Sequence, residues 1–144
     1  MNLKALSHYE KDTDTRFGDC ILIYDSGNLV VYDCGHPRHA EEVILFLNLH
    51  SDITSVSIVV SHNDSDHTSG VCELLKRLKK KNKYNVKIYS HQYLKYVDTI
   101  LNKLDDGRRS RDSLKEAILS EFNNIKDIIN TAESLGYISV ESLK

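Results

Sequence analysis

Val56-Ser57-Ile58-Val59-Val60-Ser61-His62-Asn63-Asp64-Ser65-Asp66-His67-Thr68-Ser69-Gly70 changes character abruptly at Ser61. The run before it is rich in β-branched residues, the composition of a buried strand, and the residues after it are polar with a closing glycine. Polar side chains clustered at the end of a buried strand are where sites are commonly built. Four of them, His62, Asp64, Asp66 and His67, are potential metal ligands. In an extended or turning segment alternate side chains point the same way, so His62, Asp64 and Asp66 are expected to converge while His67 turns toward a neighbouring point. One segment is thereby able to serve two ions. Imidazole nitrogen and carboxylate oxygen suit zinc, manganese or iron, and the lack of thiolate in the cluster argues against a closed structural zinc site. Two carboxylates held close oppose each other's ionisation, and a divalent cation removes that cost. A polar loop in which Asp66, Thr68 or Ser69 caps the next helix explains one or two of these residues, not all four.

Working outward, Cys20-Ile21-Leu22-Ile23-Tyr24 and Asn28-Leu29-Val30-Val31-Tyr32 flank the turn signal Asp25-Ser26-Gly27-Asn28, which predicts a β-hairpin. Gly35 and Pro37 end the second strand, and Ala40, Val43, Ile44 and Leu47 recur at helical spacing, so a helix is expected over about His39 to His50. Downstream, Leu74, Leu75 and Leu78 mark a helix ending in Lys79-Lys80-Lys81-Asn82-Lys83, and Val86-Lys87-Ile88-Tyr89 reads as a strand. Residues 1–90 thus read as a β-β-α-β-α-β core. Residues 91–144 read as a helical segment: Tyr93 to about Leu104, a polar break at 105–110 within the domain, and a long helix opened by a Ser113-x-x-Glu116 capping box and closed near Gly136. Its apolar stripe, Leu114, Ile118, Phe122, Ile125, Ile129 and Ala132, is expected to cover a sheet or a neighbouring helix.

The 144 residues fit one α/β domain, and 40% hydrophobic with 28% charged residues is a globular balance. A net charge of −2 gives no global pull toward nucleic acid or an acidic membrane surface. Met1 to His8 lacks the apolar run of a signal peptide, and no stretch has the length of a membrane span, so a cytoplasmic chain is expected. Cys20, Cys34 and Cys72, an odd number without CxxC spacing, are expected to be reduced and mostly buried.

The segment His62-Asn63-Asp64-Ser65-Asp66-His67-Thr68-Ser69-Gly70 resembles the H-x-[HD]-x-D-H-x-x-G signature of the metallo-β-lactamase superfamily, in the Asp variant common in ComEC-like hydrolases. Upstream, Gly18-Asp19-Cys20-Ile21-Leu22-Ile23 resembles that family's opening G-D-x-x-L-I strand, and Val31-Tyr32-Asp33-Cys34-Gly35 its I-D-x-G turn, in the right order. The resemblance covers about residues 3 to 90 and implies the first half of an αββα sandwich, a mixed sheet flanked by helices. It implies His62 and Asp64 on one metal and Asp66 and His67 on a second, zinc or manganese, with Asp33 and, more weakly, Asp19 behind the ligands to orient them. It implies hydrolysis by a metal-activated water, with Asp66 as ligand and base and a phosphodiester, nucleic acid included, as the preferred substrate class.

The family's later ligands find no counterpart after residue 90; His91 is expected to be a polar strand-end residue. A further segment or another chain that completes the fold is therefore an expected partner, and a non-catalytic assembly module is the alternative reading. The basic run carrying Lys79, Lys80 and Lys81 reads as a solvated helix end, with a phosphate-backbone track as its functional alternative.

Overall fold

The structure is a computed structural model, and it describes residues 1–10, 15–90, 113, 115–116, 122–137 and 140–142. Six strands form one mixed sheet in sequence order: β1 (Asn2–Glu10), β2 (Thr15–Asp25), β3 (Asn28–Tyr32), β4 (Ser55–Val59), β5 (Asn85–Ser90) and β6 (Val140–Ser142). The first three are antiparallel neighbours, and β3 to β6 run parallel. The β2–β3 turn is the one the sequence signals: Asp25 pairs with Asn28, and Ser26 (φ 48°) and Gly27 (φ 82°) take the two left-handed positions of a tight hairpin.

Parallel neighbours need crossovers. Helix α1 (Pro37–Leu49) joins β3 to β4, and α2 (Ser65–Thr68) with α3 (Val71–Lys81) joins β4 to β5. Both crossovers advance in the same direction along the sheet, so right-handed connections put α1 and α3 on the same face, where they pack together. A further helix, α4 (Asn123–Ser134), packs on α3 and touches α2. The core lies between these helices and one sheet face: Leu29, Val31, Val56, Ile58 and Ile88 meet Ala40, Val43 and Leu47 of α1, Leu74, Leu75 and Leu78 of α3, and Ile125, Ile128 and Ala132 of α4. Each buried valine, leucine or isoleucine among them contributes roughly 1.5–3 kcal/mol of transfer free energy. The other face is half-covered, with Ile21, Ile23, Val30 and Val59 partly exposed and Tyr32 at 40%.

The α/β class and the β-β-α-β-α-β order after β1 match the sequence reading, while four features differ from it. Strand β1 went unread because Leu3 and Leu6 are three apart, out of step with a two-residue period; Leu3 is exposed and Leu6 buried, with a register shift between Leu6 and His8. The tail is not wholly helical, since β6 adds a strand beside β5. The long helix expected up to Gly136 does not run unbroken: Phe122 (φ −112°, ψ 19°) lies outside helical geometry and α4 starts after it. Ser113 is itself helical rather than a cap. The expected helix over Tyr93 to Leu104, His91, the break at 105–110, and Leu114 and Ile118 of the stripe lie outside the described residues. No helix among the described residues is long and apolar enough to cross a membrane.

Candidate metal centre

The site forms where β3 and β4 end side by side. After Tyr32 the chain turns sharply at Asp33, a non-glycine residue at φ 61°, and its amide donates to the Val59 carbonyl (2.8 Å). That left-handed conformation costs energy for a residue with a Cβ, so it marks a position the surroundings hold in place. Asp33 is 1% exposed, and both carboxylate oxygens are engaged. Oδ1 accepts from the Ser61 amide (2.8 Å), while Oδ2 accepts from the Ser61 hydroxyl (2.5 Å) and contacts His67 Nδ1 (2.8 Å). Ser61 Oγ also lies 2.8 Å from His62 Nδ1. One buried carboxylate and one hydroxyl therefore fix both imidazoles by their Nδ1 atoms, leaving the Nε2 atoms for other work.

The backbone of the motif is seated as firmly. After Asp64, itself extended (φ −66°, ψ 145°), Ser65–Thr68 form one helical turn, with the His67 amide donating to the Asp64 carbonyl (3.0 Å). This turn lies on the 33–36 segment: Cys34 N donates to His67 O (3.1 Å), Gly70 N to Cys34 O (2.8 Å) and Gly35 N to Asp19 O (3.1 Å). The Asp66 carbonyl enters a slot between Gly18 and Gly35, where a Cβ on either would sit 1.9 Å from its oxygen. The glycines of the three motifs are thus explained by one packing event, the close approach of three backbone segments. Beneath it Cys20 and Cys34 are buried and reduced, and Cys72 is half-buried. The hydrogen bond to Cys20 and burial push the Cys34 thiol well above its ordinary pKa, so it acts as a packing group.

Of the four expected ligands, the structure brings the His62 and His67 rings together and sets the Asp66 carboxylate beside His67, while neither Asp64 nor Asp66 falls in the cluster that the two imidazoles form with Asp33. The rings of His62 and His67 are 4.7 Å apart, and one atom each of Asp33, His62 and His67 lie within 4.8 Å of one another. His67 Nε2 is 3.6 Å from Asp66 Oδ2. Asp64 precedes the helical turn and is exposed, and its carbonyl accepts from the Thr68 hydroxyl and the His67 amide. Asp33, expected behind the ligands, has both oxygens engaged by Ser61 and His67, and one atom of it belongs to the same cluster as the two imidazoles. Asp19 is 3.9 Å from His67 Nδ1 and largely exposed.

Burial opposes a charge on His67, but the hydrogen bond to Asp33 and the carboxylates of Asp33, Asp66 and Asp19 outweigh it and hold its pKa above the usual imidazole value. The spacing of His67 and Asp66 fits a divalent cation. Two donors each about 2.1 Å from one ion stand about 3.4 Å apart in a tetrahedral arrangement, close to the 3.6 Å between His67 Nε2 and Asp66 Oδ2. Sequence reasoning did not find Ser61, because a serine ending a strand carries no signal of its own until Asp33 is placed beside it. Lys79, Lys80 and Lys81 lie at the far end of α3, about 15 Å of helix from the motif at its start. There Lys81 Nζ donates to Asn48 Oδ1 and Lys79 sits 5.8 Å over the Tyr137 ring.

Residues 13–138 match the family model described as the metallo-beta-lactamase superfamily. Among solved structures, the chain is similar to a candidate metallo-beta-lactamase from Thermotoga maritima, with 17% identity over 85% of this chain and 56% of that one, at a TM-score of 0.39. The chain spans little more than half the length of that structure. No curated protein matches.

Proposed function

Because the chain belongs to the metallo-beta-lactamase superfamily, we propose that it is a metal-dependent hydrolase with His62, Asp66 and His67 as ligands, and that its substrates are phosphodiesters, nucleic acid included. The observation that carries this reading is the pair His67 Nε2 and Asp66 Oδ2, 3.6 Å apart, with His67 fixed from behind by Asp33. A bound zinc or manganese ion would supply Lewis-acid polarisation and bring the pKa of a water toward neutrality. The chain's own residues do the rest. Asp33 holds the His67 ring through Nδ1, Ser61 passes that anchor on to His62, and Asp66, exposed at the edge of the site, is the group placed to take a proton from an attacking water. Asp64, the motif's variant position, is open to an ion at a second position and relates the motif to the ComEC-like branch, whose chemistry motivates the phosphodiester. Lys79–Lys81, at the remote end of α3, would meet only a substrate long enough to reach them.

The test is metal analysis of the purified chain, together with hydrolysis of a chromogenic phosphodiester. Stoichiometric metal and turnover, both lost in a His62→Ala, Asp66→Ala double variant, are the expected result; full metal content and activity in that variant would refute it. The half-covered sheet face carrying Ile21, Ile23, Val30 and Tyr32 favours a second reading, in which another segment or chain packs there and completes a non-catalytic assembly module. Absence of metal from the chain, both alone and with any co-purifying partner, favours that second reading.

A further inference from the structure

Asn63 stands between His62 and Asp64, and it is half-buried where they are exposed. Its carbonyl and its side-chain oxygen both serve α4. The Asn63 carbonyl accepts from Asn124 Nδ2 (2.7 Å), and Asn63 Oδ1 accepts from the Ile125 amide (3.1 Å). Ile125 is the third residue of α4, so its amide is one of the donors that a helix start leaves without an intrahelical partner. Such a donor is ordinarily met by the side chain of the residue at the helix boundary. Here the boundary residue, Phe122, makes no side-chain capping bond, and the acceptor comes from more than fifty residues upstream. Ile125 is itself only 1% exposed, so the donor sits where water would replace the bond poorly.

We propose that Asn63 is a positioning residue that clamps the ligand loop to α4, so that metal binding at the loop and docking of α4 are thermodynamically linked. The reading rests on the metal site proposed above. A residue pinned through both its carbonyl and its side chain has little freedom left in its backbone, and that backbone sets where His62 and Asp64 project. An ion that holds the loop in its ligating shape therefore also holds the acceptor that α4 needs, and by reciprocity an undocked α4 weakens the ion's binding.

The experiment is a zinc(II) titration of the full chain by calorimetry, paired with amide hydrogen exchange over 123–128, for the wild type, Asn63→Ala and Asn124→Ala. In wild type, zinc is expected to slow exchange at Ile125. Asn63→Ala should bind zinc about tenfold more weakly, the lower end of what losing a residue behind the ligands costs, and should lose the zinc-dependent protection. Asn124→Ala, which leaves the loop's own sequence untouched, should show a smaller loss of the same kind. In metal-free protein Asn63→Asp, which keeps the acceptor and places a charge favoured at a helix start, should restore the protection at Ile125 that Asn63→Ala removes. A wild type that binds zinc while Asn63→Ala binds it equally, with unchanged exchange at Ile125, overturns the clamp alone. A wild type that takes up no zinc overturns the metal reading, and the linkage with it.

Discussion

The two ends of α3 are built differently. At its start the motif turn, the 33–36 segment and β2 meet through backbone groups: Asp66 O lies between Gly18 and Gly35, and Cys34 and Gly70 exchange amide bonds with the segments beside them. At its finish the helix closes on left-handed Asn82 (φ 48°, ψ 39°) beside an open cleft of about 270 Å³ lined by Leu78, Lys79, Tyr84 and Tyr137. Contacts there are made by long side-chain ends, such as Lys79 over Tyr137 and Lys83 over Tyr84. Backbone contacts cannot rotate aside, whereas lysine ends can. One end of the helix is therefore preorganised and intolerant, and the other is adaptable.

The contrast is broken most severely at the glycines. Gly35→Ala sets a Cβ 1.9 Å from a carbonyl oxygen and 2.8 Å from the Gly18 Cα, neither of which can move without unseating the motif. Loss of zinc binding in calorimetry is expected, with a destabilisation of roughly 2–4 kcal/mol in urea unfolding. Gly136→Ala serves as the counterpart from the adaptable end. Gly136 has φ 78° but nothing within 4 Å of an added Cβ, so it should cost only about 1 kcal/mol of backbone strain and leave zinc binding intact. Equal effects of the two substitutions on zinc binding would erase the distinction.

A smaller loss is expected from Asp33→Asn. Asparagine tolerates the left-handed backbone that Asp33 adopts, so the turn survives. The amide keeps one acceptor but cannot serve the Ser61 amide, the Ser61 hydroxyl and His67 Nδ1 together. Zinc affinity should fall by about 10- to 100-fold, with the fold retained by circular dichroism. Unchanged affinity would show that Asp33 supports the turn alone and does not orient the imidazoles.

Legibility in the sequence divides along the same line. The hairpin was legible because Asp25-Ser26-Gly27-Asn28 encodes its own turn, and α3 because Leu74, Leu75 and Leu78 mark its buried face locally. The candidate site was legible as residue types, His62 and His67 with Asp33 beside them, because their chemistry and spacing sit within short motifs. Its geometry was not. The helical turn Ser65–Thr68 is held by tertiary hydrogen bonds between Cys34, His67 and Gly70, and the Asn63 bond to Ile125 spans a sequence distance that no periodicity reports. Strand β6, three residues long, is defined by its pairing with β5 more than by its own composition.

The smallest effect belongs to the adaptable end. Burial raises the pKa of Tyr137 above the ordinary phenol value, and its hydroxyl donates to the Leu75 carbonyl (3.2 Å). A phenol whose pKa is higher folded than unfolded adds no pH dependence while both states stay protonated, below about pH 10. Its contribution is lost as pH rises from there through the folded value, because the unfolded chain gives up the proton more readily. Tyr137→Phe should lower stability by about 1 kcal/mol at neutral pH, the worth of one ordinary hydrogen bond. It should also flatten the decline above pH 10 and leave zinc affinity unchanged. Urea midpoints measured from pH 7 to 11 read both effects. A variant whose alkaline decline is as steep as that of the wild type would place the phenol in water and remove Tyr137 from the packing at this end of α3.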